Sequence, residues 1–211
     1  TAVIEFFEKI MEGYVFIREN RRVLIPFLML LFFQVGLAMV VVNIPVMAKE
    51  ILGVPLNNAG ISIVVPAGIG AIAGALTATR LLKRGWRKKK TIELFLMATI
   101  LSFFLLVFVI PELTGLIKII AAVVTMGMAG FSFIGTVIPA QTYLQQTTPG
   151  GLRGRVFGNF WFLATIVTVF PVIFSGTVAE LFGIKLLLFI IGAFILAGLV
   201  FSKRYGQKLL E

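Results

Sequence analysis

Residues 80–90 read Arg-Leu-Leu-Lys-Arg-Gly-Trp-Arg-Lys-Lys-Lys, seven cations with no acid, and long apolar runs lie on both sides. One Lys or Arg at the centre of a bilayer costs about 3 kcal/mol even on lenient insertion scales. Seven of them stay in water, and membrane proteins keep such loops on the cytoplasmic face. A soluble globule is excluded by composition. Of 211 residues, 59% are hydrophobic and 13% charged, against roughly 25% charged in soluble domains.

A membrane-crossing helix needs about 20 apolar residues. Six runs qualify: 24–47, 58–79, 92–110, 116–141, 156–182 and 184–201. Turn residues separate them: Gly53 and Pro55, Pro111 and Gly115, Pro149-Gly150-Gly151, and a tight turn at Gly183. Ahead of them, Val3, Phe7, Ile10, Tyr14 and Ile17 recur three or four apart, while Glu5, Glu8, Glu12 and Glu19 fall mostly elsewhere. This pattern predicts an amphipathic helix, lying on the membrane or against the protein.

With 80–90 inside and the spans alternating, 16 of the 19 Lys and Arg fall on the inner side; only Lys49, Lys118 and Lys185 fall outside. Lys9, Arg18, Arg21 and Arg22 share the inner side with Arg153, Arg155, Lys203, Arg204 and Lys208. The expected fold is all-α: a polytopic membrane protein of six transmembrane helices with both termini cytoplasmic. Helices one to three, a unit that begins inside, and helices four to six, a unit that begins outside, form two inverted three-helix repeats. The expected divisions are a cytoplasmic linker helix (1–22), a transmembrane domain (23–204) and a cytoplasmic tail (205–211). The net charge of +10 is assigned to the lipid bilayer and not to nucleic acid, because the cations cluster between apolar runs. Thr1 as first residue fits a piece of a longer chain, or removal of an initiator Met.

Polar and small residues within the spans are the candidate sites. Gly70 and Gly74 form a G-x-x-x-G pair on a small-residue face of the second span, suited to close helix approach, as static packing or as a sliding interface. Pro66 favours a kink there, and Gly127 and Gly130 form a similar stripe on the fourth span. Gln34 sits near the middle of the first span and needs a partner, a cavity or another helix. Asn43 is nine residues further on, about 180° around a helix, and belongs near the outer mouth. Trp161, Thr165 and Thr168 share one face of the fifth span. They line a pocket for an amphipathic ligand, or Trp161 is an interfacial anchor. Gln141 and Gln145 share the inner end of the fourth span, lining a vestibule or simply solvated.

There is no His, Cys or Asp, and the Glu residues lie at span ends or in loops. No acid–base or metal constellation follows, so neither an enzyme nor a cofactor is expected. No phosphate-binding G-x-x-x-x-G-K-[ST] loop is present either.

Three stretches carry a resemblance: 12–22 (Glu-Gly-Tyr-Val-Phe-Ile-Arg-Glu-Asn-Arg-Arg), 74–90 with its glycine-then-basic pattern, and 149–155 (Pro-Gly-Gly-Leu-Arg-Gly-Arg). Gly158, Pro171 to Gly176 and Leu181-Phe-Gly183 follow the last of them. The chain resembles the C-terminal half of a major facilitator superfamily transporter of the drug- or siderophore-exporter branch. The acid expected before the basic loop is absent, with Ala78 and Thr79 in its place. The resemblance implies a secondary efflux transporter of the bacterial inner (plasma) membrane, an antiporter in type, with alternating access between two six-helix halves. It implies an amphipathic drug or small metabolite as substrate and the missing N-terminal half, or a second copy, as partner. It makes Arg84, Arg153 and Arg155 gate contacts, and Gln34, Gln141, Trp161 and Thr165 cavity residues. The competing expectation is a six-helix module that only assembles, as a homodimer or scaffold subunit.

Overall fold

The computed structural model describes the backbone of residues 2–209 and, except at 2–7, 9, 56, 198 and 201–209, their side chains. The expectations for Val3, Glu5, Phe7, Lys9, Lys203, Arg204, Lys208 and the tail 205–211 lie outside that side-chain set. The chain forms α1 (Ala2–Glu19), α2 (Arg21–Val42), α3 (Ile44–Met47), α4 (Val65–Lys83), α5 (Lys88–Phe104), α6 (Gly115–Thr147), α7 (Gly150–Phe182) and α8 (Ile184–Leu209). Among the described residues there is no strand. Among the described residues five helical stretches are long and apolar enough to cross a membrane: Arg21–Val42, Gly60–Lys83, Lys88–Glu112, Gly115–Thr147 and Gly150–Phe182. The apolar part of α8, Ile184–Ala197, is shorter.

The boundaries depart from the sequence expectation for identifiable reasons. The first run breaks at Asn43, because Pro45 at the start of α3 has no N–H to continue the helix. Pro66 falls at the start of α4, directly after a π-helical turn, Gly60–Val64; wide turns of this kind absorb a proline's missing bond. At 33 residues each, α6 and α7 are about 50 Å long. They outrun the apolar runs because the more polar Gln141 to Thr147 and Gly150 to Arg155 are helical as well.

In the middle stands α6, packed on α4, α5 and α2; α2 packs on α7, and α8 joins α5 to α7. The α4–α6 crossing is backbone against backbone. A methyl group on Gly70 would overlap the Gly127 carbonyl oxygen, one on Gly74 that of Phe131, and one on Gly130 that of Ala67. Such proximity replaces hydrophobic drive with dispersion contact.

Each end of the bundle has its own ties. At one end Lys88 Nζ donates to Gln146 Oε1 at the end of α6, and α1 docks on the start of α7. Asn159 Nδ2 donates to Ile10 O (3.0 Å), and Arg155 pairs with Glu12. The buried edge of α1 runs through Gly13 and Ile17, with Tyr14 exposed. Gly13 leads because a side chain there would collide with the Asn159 amide. At the other end the Ile184 N–H donates to Glu50 Oε2 (3.1 Å), a carboxylate cap on the start of α8.

Candidate functional site: the groove between α2 and α7

Two contacts pin α2 to α7. The Phe27 and Phe160 rings meet edge to face with centroids 5.8 Å apart. Sixteen residues further on, just past the end of α2, Asn43 Nδ2 donates to Ser175 Oγ (3.0 Å). Because 27 pairs with 160 and 43 with 175, the two helices run in parallel. Between the pins lies a groove of about 330 Å³, lined by Gln34, Trp161, Ala164, Thr165, Thr168, Val169 and Val172.

Trp161, Thr165 and Thr168 of α7 all line this groove, and Gln34 lines it from α2. Thr165 Oγ1 donates to its own helix at Trp161 O (2.9 Å), leaving the oxygen's lone pairs to the groove. Thr168 Oγ1 is buried and has no hydrogen-bond partner among the described residues. Gln34 is half-buried. Trp161 is exposed, with its ring edge on Phe160 (5.4 Å). An amide, two hydroxyls and an indole on an aliphatic wall make an amphipathic surface. Among the described residues it holds no nucleophile beside a base. Among the described residues, no group of three or more His, Cys, Asp or Glu could hold a metal ion.

The other candidates lie elsewhere. Gln141 is half-buried on α6 and does not line the groove, and Gln145 is exposed. Asn43 is 2% exposed and serves as the helix-to-helix pin. Gly70 and Gly74 hold the α4–α6 crossing. Arg153 Nε donates to Thr148 O within the α6–α7 turn (3.1 Å). Arg84, exposed, ends α4. Arg155 reaches another helix, pairing with Glu12 of α1.

Sequence reasoning missed Asn159, whose signal was an amide two turns into an apolar helix, and Ser175. It also missed an apolar cavity of about 360 Å³ between α2 and α4, floored by α6 at Met126, Gly130 and Phe133. Its walls read as ordinary core, and only the small residues Gly36, Gly68 and Ala71 hint at the space.

Compared with known proteins, the chain matches the Major Facilitator Superfamily family model over residues 3–170, which takes in Gln34, Trp161, Thr165 and Thr168. No curated protein and no solved structure matches it.

Proposed function

The chain belongs to the Major Facilitator Superfamily, a family of membrane transporters, and from that premise we propose that it is one six-span half of a secondary exporter working by alternating access. α8 supplies the sixth span, both ends face the cytoplasm of a bacterial inner membrane, and the other half is the preceding part of a longer chain or a second copy. Parallel α2 and α7 support this reading, since an even number of crossings separates the starts of the first and fifth spans. The packing supports inverted repeats: α4 lies on α6 and α7 on α2, the second helix of each triplet on the first of the other.

The observation that carries the proposal is the α2–α7 groove, with an unpartnered Thr168 hydroxyl beside Gln34 and an exposed Trp161. Such a lining suits amphipathic organic molecules, drugs among them: apolar surface rests on Val169 and Val172 and a polar group meets the amide and hydroxyls. Losing one hydrogen bond of about 1 kcal/mol weakens binding roughly fivefold. The test uses cells that express the whole transporter and are loaded with a panel of amphipathic dyes. Gln34→Leu and Thr168→Val should each raise dye accumulation toward that of cells lacking the protein, at unchanged membrane abundance. Unchanged accumulation across the panel, for the parent and both variants, would defeat the export reading.

A further inference from the structure

The α4–α5 turn has a locked backbone, and most of its cations have no counter-charge among the described residues. Trp86 N–H donates to Leu81 O and Gly85 N–H to Leu82 O, both at 3.1 Å. With Gly85 at φ +80, this is the paired-bond ending that locks a helix C-terminus. The turn therefore presents its side chains from a fixed backbone. Lys88 is anchored through Gln146 and lies 5.3 Å from the centroid of the Tyr143 ring. Lys89 has Glu93 at 4.0 Å, the edge of ion-pair distance. Arg80, Lys83, Arg84, Arg87 and Lys90 form no ion pair among the described residues. Trp86, in their midst, is 48% exposed.

We infer that this turn is a binding site for the headgroup of an anionic phospholipid. Five unpaired cations on one fixed turn need an anion, and charge complementarity selects phosphate. The helices leading in and out select a lipid as its carrier. Leu76 on α4 and Leu94 on α5 are exposed, within about 15 Å of Trp86 along their helices, so acyl chains can run beside them. A nucleic acid has no use for those leucines. Trp86 stands between the two zones, where indole rings favour the membrane boundary. The inference does not depend on transport and stands or falls apart from it.

The chain has two tryptophans, which gives a direct readout. Trp161→Phe leaves Trp86 as the sole tryptophan of the 211-residue chain, reconstituted in phosphatidylcholine vesicles. Dibrominated phosphatidylglycerol should quench it far more than dibrominated phosphatidylcholine at the same mole fraction. About fivefold enrichment is expected, the effect of one cation near an anionic surface. The preference should vanish in Lys83→Gln/Arg84→Gln/Arg87→Gln/Lys90→Gln and at about 1 M salt, where screening acts within roughly 3 Å. Trp86→Phe gives the same answer by subtraction from the unmodified chain, if Trp161→Phe folds poorly. Equal quenching by the two lipids overturns the site, as does a preference that survives both neutralisation and salt. Relief of quenching by soluble glycerol phosphate, or by a short RNA, would overturn the lipid as its ligand.

Discussion

Thr168 and Asn159 lie on one helix and show opposite ways of keeping a polar group in a greasy bundle. The Asn159 amide is satisfied twice, by Ile10 O and Arg155 O, both at 3.0 Å, while the Thr168 hydroxyl is satisfied by nothing. A buried unsatisfied group costs about 1–3 kcal/mol, and an isosteric apolar replacement removes that cost. Thr168→Val should therefore raise the thermal stability of the purified chain, by roughly 1 kcal/mol, in the same variant expected to lose export. Greater stability with less function is the usual mark of a site kept for a ligand. Asn159→Ala should do the reverse, loosening α1 by removing the hydrogen bond that ties the Ile10 carbonyl to α7. Arg155→Ala removes a partly exposed ion pair with Glu12, worth at most about 1 kcal/mol. Amide hydrogen exchange along α1 should accordingly rise more in Asn159→Ala than in Arg155→Ala. The opposite order would mean that the ion pair, not the amide, docks the helix.

The α4–α6 pair makes the sharpest prediction among the elements, because one helix carries its own control. Gly70 faces the Gly127 backbone with no room for a methyl, whereas Gly68 has nothing within 4 Å of where one would stand. Gly68→Ala should hold or gain stability, up to about 1 kcal/mol from helix propensity. Gly70→Ala must push two backbones apart and should lose roughly 3 kcal/mol or more, read as a fall in melting temperature in detergent. Equal effects would mean that the close crossing does not exist. The G-x-x-x-G spacing made that face legible beforehand, since period alone puts Gly70 and Gly74 on one side. Period likewise grouped Trp161, Thr165 and Thr168. What period could not give was rotation of one helix against another. Gln141 looks as well placed as Gln34 until α6 is turned by its glycine contact with α4, which leaves Gln141 off the groove. The break at Asn43 was hidden for a different reason. Val40 to Met47 is apolar throughout except for Asn43 and Pro45, so hydropathy saw one run where the backbone makes two helices.

For the whole molecule, everything rests on which ends lie together, and α6 is the ruler. Lys88 touches Gln146 near its last turn, while Lys118 sits in its first. Those two points on α6 are 28 residues apart, about 42 Å along a helix, more than the roughly 30 Å of hydrocarbon they flank. If α6 crosses the bilayer, Lys88 and Lys118 lie on opposite faces, whichever face is the cytoplasm. The proposed orientation, which follows the charge bias, has Lys88 inside with the other bases of the turn. The chain has no cysteine, so Lys88→Cys and Lys118→Cys each introduce a single reactive thiol. In intact cells a membrane-impermeant maleimide should label Lys118→Cys and leave Lys88→Cys untouched until the membrane is opened. The inverted pattern would keep the fold and reverse the orientation, and with it the direction assigned to transport. Labelling of both from one side would remove α6 from the membrane, and neither the span count nor the paired repeats could survive that.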